Sequence, residues 1–339
     1  MLITTMASLP RPVPADSSPP NTPNTASRYH LAATFEIGGP CGWDYIAVDP
    51  ESRRLYVPHV SQVDVLDADT GKRVGTIADT PGVHGIALAP ELRKAFTSNG
   101  KADSVSVVDL DTLSHTAEIK TGKDPDAIIY DPGTKRVFVS NGESDNITAI
   151  NAVTGKVDGT IPLEGGPEYL AADGKGTLWV NVQEKNSVVT MDANNLKVIK
   201  HTATPGCQAP TSLAADPENR RLFIGCRGGT LAIVDADAGT VIKTAPIGQH
   251  VDSTIFDARD RLIFSSTGDG FITILHQDSP NVYSVMDTVK TMRGAKTMAL
   301  DPKTGTLYLP TAKNLPPGLT GPPKPSKKSG PFVVLALEK

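Results

Sequence analysis

Seven residues stand at one recurring place in this chain: Asp44, His84, Asp126, Glu168, Thr211, Asp252 and Lys296. Successive members are 40 to 44 residues apart. If the fold gathers them, four carboxylates, one imidazole, one amine and one hydroxyl meet at a single opening. Carboxylates brought together repel one another, and a bound cation relieves that repulsion. Asp44, Asp126, Glu168 and Asp252 are therefore candidate ligands for a divalent metal (Ca, Mg, Mn or Zn). Histidine titrates near neutral pH, so His84 is the candidate general base beside such a metal. Trp43, next to Asp44, joins the candidate ligand-binding set. Three readings stand side by side: solvated loop ends, a site for a cation-rich ligand or metal, and a catalytic centre.

The other reactive residues are sparse. Three cysteines exclude a disulfide-dense miniprotein and a four-cysteine zinc site. An antiparallel hairpin turning at 217–220 would bring the neighbourhoods of Cys207 and Cys226 together. Either a disulfide or two reduced thiols fits that hairpin. Cys41 has no evident partner. Gly268-Asp269-Gly270 reads as a turn, since no helix comes after it to make a phosphate site.

What must position the seven residues is a repeat. A turn between two apolar runs recurs at Asp49, Ala89, Asp131, Asp173, Asp216, Asp257 and Asp301. Each unit holds four short β-branched or alternating runs bounded by Gly, Pro, Asn and Asp, and no run has a sustained helical period. Four strands in 40 to 44 residues is the arithmetic of a propeller blade. Seven units give a seven-bladed, all-β propeller with four-stranded blades. The last unit is one strand short, and the segment 29–37 (YHLAATFEI) is a strand without a blade. The expectation is that it joins the C-terminal blade and closes the ring, removing two open edges. In such a ring the loops entering the first strands, and those between second and third strands, open on one channel face. The second set adds His59, Asn99, Asn141, Asn181, Gln183, Cys226 and Thr267 around the same opening.

The second strands, with the turn and third strand after each, read RLYVPHVSQVDVLDADTGK, KAFTSNGKADSVSVVDLDTL, RVFVSNGESDNITAINAVTGK and RLFIGCRGGTLAIVDADAGT. This pattern resembles the YVTN-repeat, or YncE-like, β-propeller family of bacterial exported and surface proteins, over about residues 30–339. The resemblance implies the propeller fold and a periplasmic or secreted location. Its implied function is a scaffold that binds a small molecule or protein at the channel face. The alternative is a metal-assisted lactonase or lyase, because some lactonases and a streptogramin lyase look similar in placing metal and base there.

Charge narrows the partners. The formal net charge is −4, with charged residues 21% and hydrophobic residues 39% of the chain. Arg11 and Arg28 outnumber Asp16 in the first 29 residues, and Lys313, Lys324, Lys327 and Lys328 occupy 313–330 without an acid. The propeller body is thus more acidic than the whole chain, which disfavours a nucleic-acid partner even though the family includes that possibility. Residues 1–28, rich in Pro, Ser and Thr, read as a disordered tail ahead of a single domain at 29–339. The Pro/Lys-rich stretch 312–330 reads as an insertion in blade seven. Only Met1–Met6 is weakly apolar, so no credible signal peptide is present in the sequence as given. No apolar run reaches the length of a membrane span. A monomer is expected.

Overall fold

A computed structural model describes residues 28–315, 318–321 and 330–339. The expected tail at 1–28, apart from Arg28, and residues 316–317 and 322–329 of the stretch 312–330 lie outside the described residues. The described chain forms seven antiparallel sheets of four strands each. The first strands of the blades are Ala47–Asp49, Val83–Ala89, Pro125–Asp131, Pro167–Ala172, Pro210–Asp216, Val251–Asp257 and Ala299–Leu300. Among the described residues no helix is long and apolar enough to cross a membrane.

Local sequence explains the blades. The second strand of blade three, Arg136–Asn141 (RVFVSN), is buried at every position after Arg136. Both of its faces pack against neighbouring blades, so it reads as a continuous β-branched and aromatic run. The fourth strand of blade two, His115–Lys120, is exposed at every position except Ile119, because it forms the rim. The recurring Asp turns the chain between the first two strands. Asp131 Oδ2 accepts the Thr134 N–H at 3.1 Å, and Asp216 Oδ1 accepts the Asn219 N–H at 3.1 Å. Blade two has Ala89 instead, and there a 3-10 turn at Pro90–Leu92 takes over.

Ring closure is as the sequence predicts. Blade seven is ordered His30–Glu36, Phe332–Glu338, Leu307–Ala312, Ala299–Leu300, so the N-terminal strand is its outermost member. The register runs from His30↔Glu338 to Glu36↔Val333. One apolar cluster spans this seam, with Phe35, Trp43, Tyr308, Phe332 and Val334 among its buried members.

Candidate functional site

The loops entering the first strands converge, and blades one to three give the tightest cluster. His84 Nδ1 lies 2.8 Å from Asp44 Oδ2 and 3.4 Å from Asp126 Oδ1, while its Nε2 is 3.8 Å from Asp124 Oδ1. Donor atoms of Asp44, His84 and Asp126 all fall within 4.8 Å of one another, near enough to hold one metal ion. Glu168 and Asp252, also predicted as ligands, stand outside that group. Asp252 is instead ion-paired with Lys296, and its side chain is nearly buried.

Two aromatic rings meet beside the polar ring. Tyr45 from blade one and Tyr169 from blade four meet with ring centroids 4.9 Å apart. Blades one and four stand across the ring from each other, so this contact crosses the axis. Burial raises the Tyr45 phenol well above its usual range, helped by Asp252, Asp126, Asp44 and Glu168. Burial, with Asp44, pushes Tyr169 up to about 12. Both hydroxyls therefore stay protonated, and the mouth is a cup lined by acids with the two tyrosines at its axis.

The cup sets unusual protonation states. Burial alone would lower the His84 imidazole, but its hydrogen bond to Asp44 and the fields of Asp126, Asp44 and Asp124 outweigh that and raise it to about 9. Burial pushes Asp126 up to about 7, with the His84 charge opposing and Asp44, Asp252 and Asp124 reinforcing the rise. Burial and Asp126 push Glu168 up to about 8 against the opposing pull of Arg227 and Lys296. A value of about 9 favours the imidazolium at neutral pH, which weighs against the general-base role expected of His84.

These shifts make stability pH-dependent with a definite sign. Glu168, Asp126 and His84 all hold their proton more tightly folded than unfolded. Each contributes stability below its unfolded value that is lost as pH rises through its folded value. For Glu168 that window runs from 4.5 to about 8. The protein is expected to weaken between pH 5 and pH 9. Glu168→Gln should be more stable than the parent at pH 9 by on the order of 2 kcal/mol, the full effect of such a shift being reduced by channel water. Below pH 4.5 the two should match. Urea midpoints across this range test it; parallel pH profiles would remove the assignment.

Two predicted residues play other parts. Trp43 is buried, stacks on Phe332 with centroids 5.7 Å apart, and donates from Nε1 to the Gly294 carbonyl at 3.2 Å. It braces the wall of the cup and does not line it. Thr211 is fully buried, and its hydroxyl donates to the Val251 carbonyl at 2.7 Å. The outer set is largely occupied within the blades. His59 contacts Asp64 and the Pro40 carbonyl, Asn99 donates to Ser106, Asn141 to Asn146 and Thr148, and Asn181 to the Ser212 carbonyl. Sequence reasoning missed Tyr45, Tyr169, Asp124 and Arg227. Tyr45 and Tyr169 each directly follow a predicted residue, and that adjacency is the one signal that could have found them.

Cys207 and Cys226 form a disulfide, with Cα atoms 5.3 Å apart. Cys226 ends the second strand of blade five opposite Pro210, and Cys207 lies in the loop leading to Pro210. Cys41 is free and buried, its Sγ 3.1 Å from the Gly330 carbonyl.

Residues 75–169 match the family model described as YNCE-like beta-propeller, a span that takes in blades two and three. No curated protein matches the chain in sequence. Among solved structures the chain is similar to Kuenenia stuttgartiensis hydrazine synthase, at 19% identity and a TM-score of 0.69, over 85% of this chain and 95% of that one. It is also similar to the structure titled U3-55K, at 8% identity and a TM-score of 0.76, over 91% of this chain and 98% of that one. At these identities the likeness is one of fold alone. With seven four-stranded blades closed by the N-terminal strand, the chain is a seven-bladed β-propeller, and its blades two and three match the YncE-like propeller family.

Proposed function

We propose that this propeller is a ligand-binding protein whose channel mouth receives a positively charged group. One observation carries the reading: Asp44, Asp126, Glu168 and Asp252 are all near enough to act on the single phenol of Tyr45, which meets Tyr169 across the axis. Burial holds Asp126 and Glu168 partly protonated, and an entering cation would allow both to ionise. A rigid ring presents these groups without rearranging, which keeps the ordering cost of binding low. Calorimetric titration with 1,4-diaminobutane at pH 8 tests the reading. Binding that releases protons to the buffer, and that Asp126→Asn with Glu168→Gln abolishes, supports it. Absence of binding by this diamine and by every other primary amine tried at millimolar concentration removes it.

A second reading, a metal-assisted lactonase or lyase, is favoured by the Asp44–His84–Asp126 grouping. For His84 to ligate, its proton must leave, so metal uptake would release a proton. Elemental mass spectrometry on protein purified without chelator or nickel decides. About one equivalent of Ca, Mg, Mn or Zn, lost in Asp44→Ala/His84→Ala, promotes this reading and justifies screening lactones. No metal after soaking sinks it.

The Cys207–Cys226 disulfide supports placing the protein in an oxidising compartment, periplasmic or secreted. Thiol trapping in fractionated cells, with the protein found in the cytoplasm and its cysteines reduced, would overturn that placement.

A further inference from the structure

The mouth carries both signs of charge. Blades one to three supply Asp44, Asp124 and Asp126 against His84. Blades five to seven supply Arg227 and the Lys296–Asp252 pair. Lys296 is neutralised by its partner. Arg227 is different: its guanidinium is exposed, and no carboxylate among the described residues lies within ion-pair distance of it. Its field nonetheless reaches Glu168, Asp252 and Lys296, which places it at the rim of the same cup.

The backbone beneath Arg227 is fixed. The residue occupies the turn between Arg221–Cys226 and Thr230–Asp235, directly after the disulfide-bonded Cys226. Its N–H donates to the Ala209 carbonyl at 3.1 Å, and its carbonyl accepts the His250 N–H at 3.3 Å. These bonds tie it to the loops entering blades five and six, so the side chain is launched from a rigid point. A planar guanidinium held this way suits a carboxylate, which it can bind through two parallel hydrogen bonds. With His84 and Lys296 already paired to carboxylates, one unpaired arginine suits a monoanion better than a doubly charged phosphate, which the nearby carboxylates would repel.

We infer that the ligand is a zwitterion, with its ammonium end in the acidic half around Asp126 and its carboxylate end on Arg227. This rests on the cation-binding reading above and adds the second anchor, making Arg227 the specificity-determining residue.

The test compares probes of equal length by calorimetry: 4-aminobutyrate and 6-aminohexanoate against 1,4-diaminobutane and 1,6-diaminohexane. At one of the two lengths the amino acid should bind at least about tenfold more tightly than the diamine. Arg227→Gln should cut that preference below about threefold, mainly by weakening the amino acid. Loss of the rim cation should leave diamine binding equal or stronger, a change that simple damage to the fold would not produce. Diamines binding as well as the amino acids at both lengths would overturn this inference and leave the cation-binding reading standing. An unchanged preference in Arg227→Gln would also overturn it. No binding by any of the four probes would overturn both.

Discussion

Phe35→Ala is expected to lower the unfolding free energy by about 3–5 kcal/mol, the cost of removing a buried aromatic ring. Phe35 sits on the closing strand His30–Glu36 opposite Val334. The strand is otherwise poorly anchored: His30, Leu31 and Ala32 are exposed, and Ala33 and Thr34 only half-buried. Phe35 is 8% exposed and lies against Tyr308, with centroids 6.3 Å apart. Gly71, at φ 69°, packs so closely on the ring that a Cβ there would run into it. Phe35 therefore makes the apolar contact between blade one and the middle of the closing segment, with Tyr29 and Ile37 buried at its two ends. Its loss should free the strand before the rest of the ring melts, because the outer edge of Phe332–Glu338 can stay folded without it for a time. A lower urea midpoint together with faster hydrogen exchange at 30–36 than in blades three to five is the expected pair of results. A loss under 1 kcal/mol with those amides still protected would mean that the backbone ladder, not Phe35, closes the ring.

The fold was legible because one device repeats. The Asp turn fixes where each blade starts, and strand period then assigns every second and third strand to the interior. The orphan strand at 29–37 and the short last unit imply each other, so closure needed no structure. The site was only half legible. The repeat correctly brings Asp44, His84 and Asp126 together, since neighbouring blades place equivalent residues side by side. It could not say which way each side chain turns. Trp43 and Asp44 are adjacent, yet one stacks on Phe332 and the other meets His84. Thr211 has the same loop position as Asp126, yet its hydroxyl is taken up by the next blade. Tyr45 and Tyr169 were invisible because their contact crosses the axis, and a repeat encodes neighbours rather than opposites. The upward shift of His84 was out of reach for a related reason. Titration depends on distances to three carboxylates, and spacing in sequence does not supply them.

Removing the disulfide with Cys207→Ala/Cys226→Ala is expected to cost about 3 kcal/mol, the loop-closure value for a bridge across a segment of this size. The bridge joins residues 19 apart in sequence. Its effect should be concentrated where other ties are few. The loop before Pro210 is also held by the Cys207 N–H to the Thr204 carbonyl at 3.0 Å, the Ala209 N–H to Asn186 Oδ1 at 2.8 Å and the Arg227 N–H to the Ala209 carbonyl at 3.1 Å. Both sulfurs are buried, Cys207 at 2% and Cys226 at 0% exposure, so reductant should leave the folded protein untouched and act only as it unfolds. A thiol titration separates the cases. The native protein should show no reactive thiol, because Cys41 is buried as well. Unfolded without reductant it should show one, and unfolded with reductant all three. Three thiols in both unfolded samples would mean that the bond had not formed. One and three, with an unchanged urea midpoint in the double variant, would mean that the strand pairing of blade five already holds the loop and that the bridge protects the site kinetically. The expected result is one and three together with a lower midpoint. The same bond that steadies blade five then also fixes the turn from which Arg227 reaches the mouth.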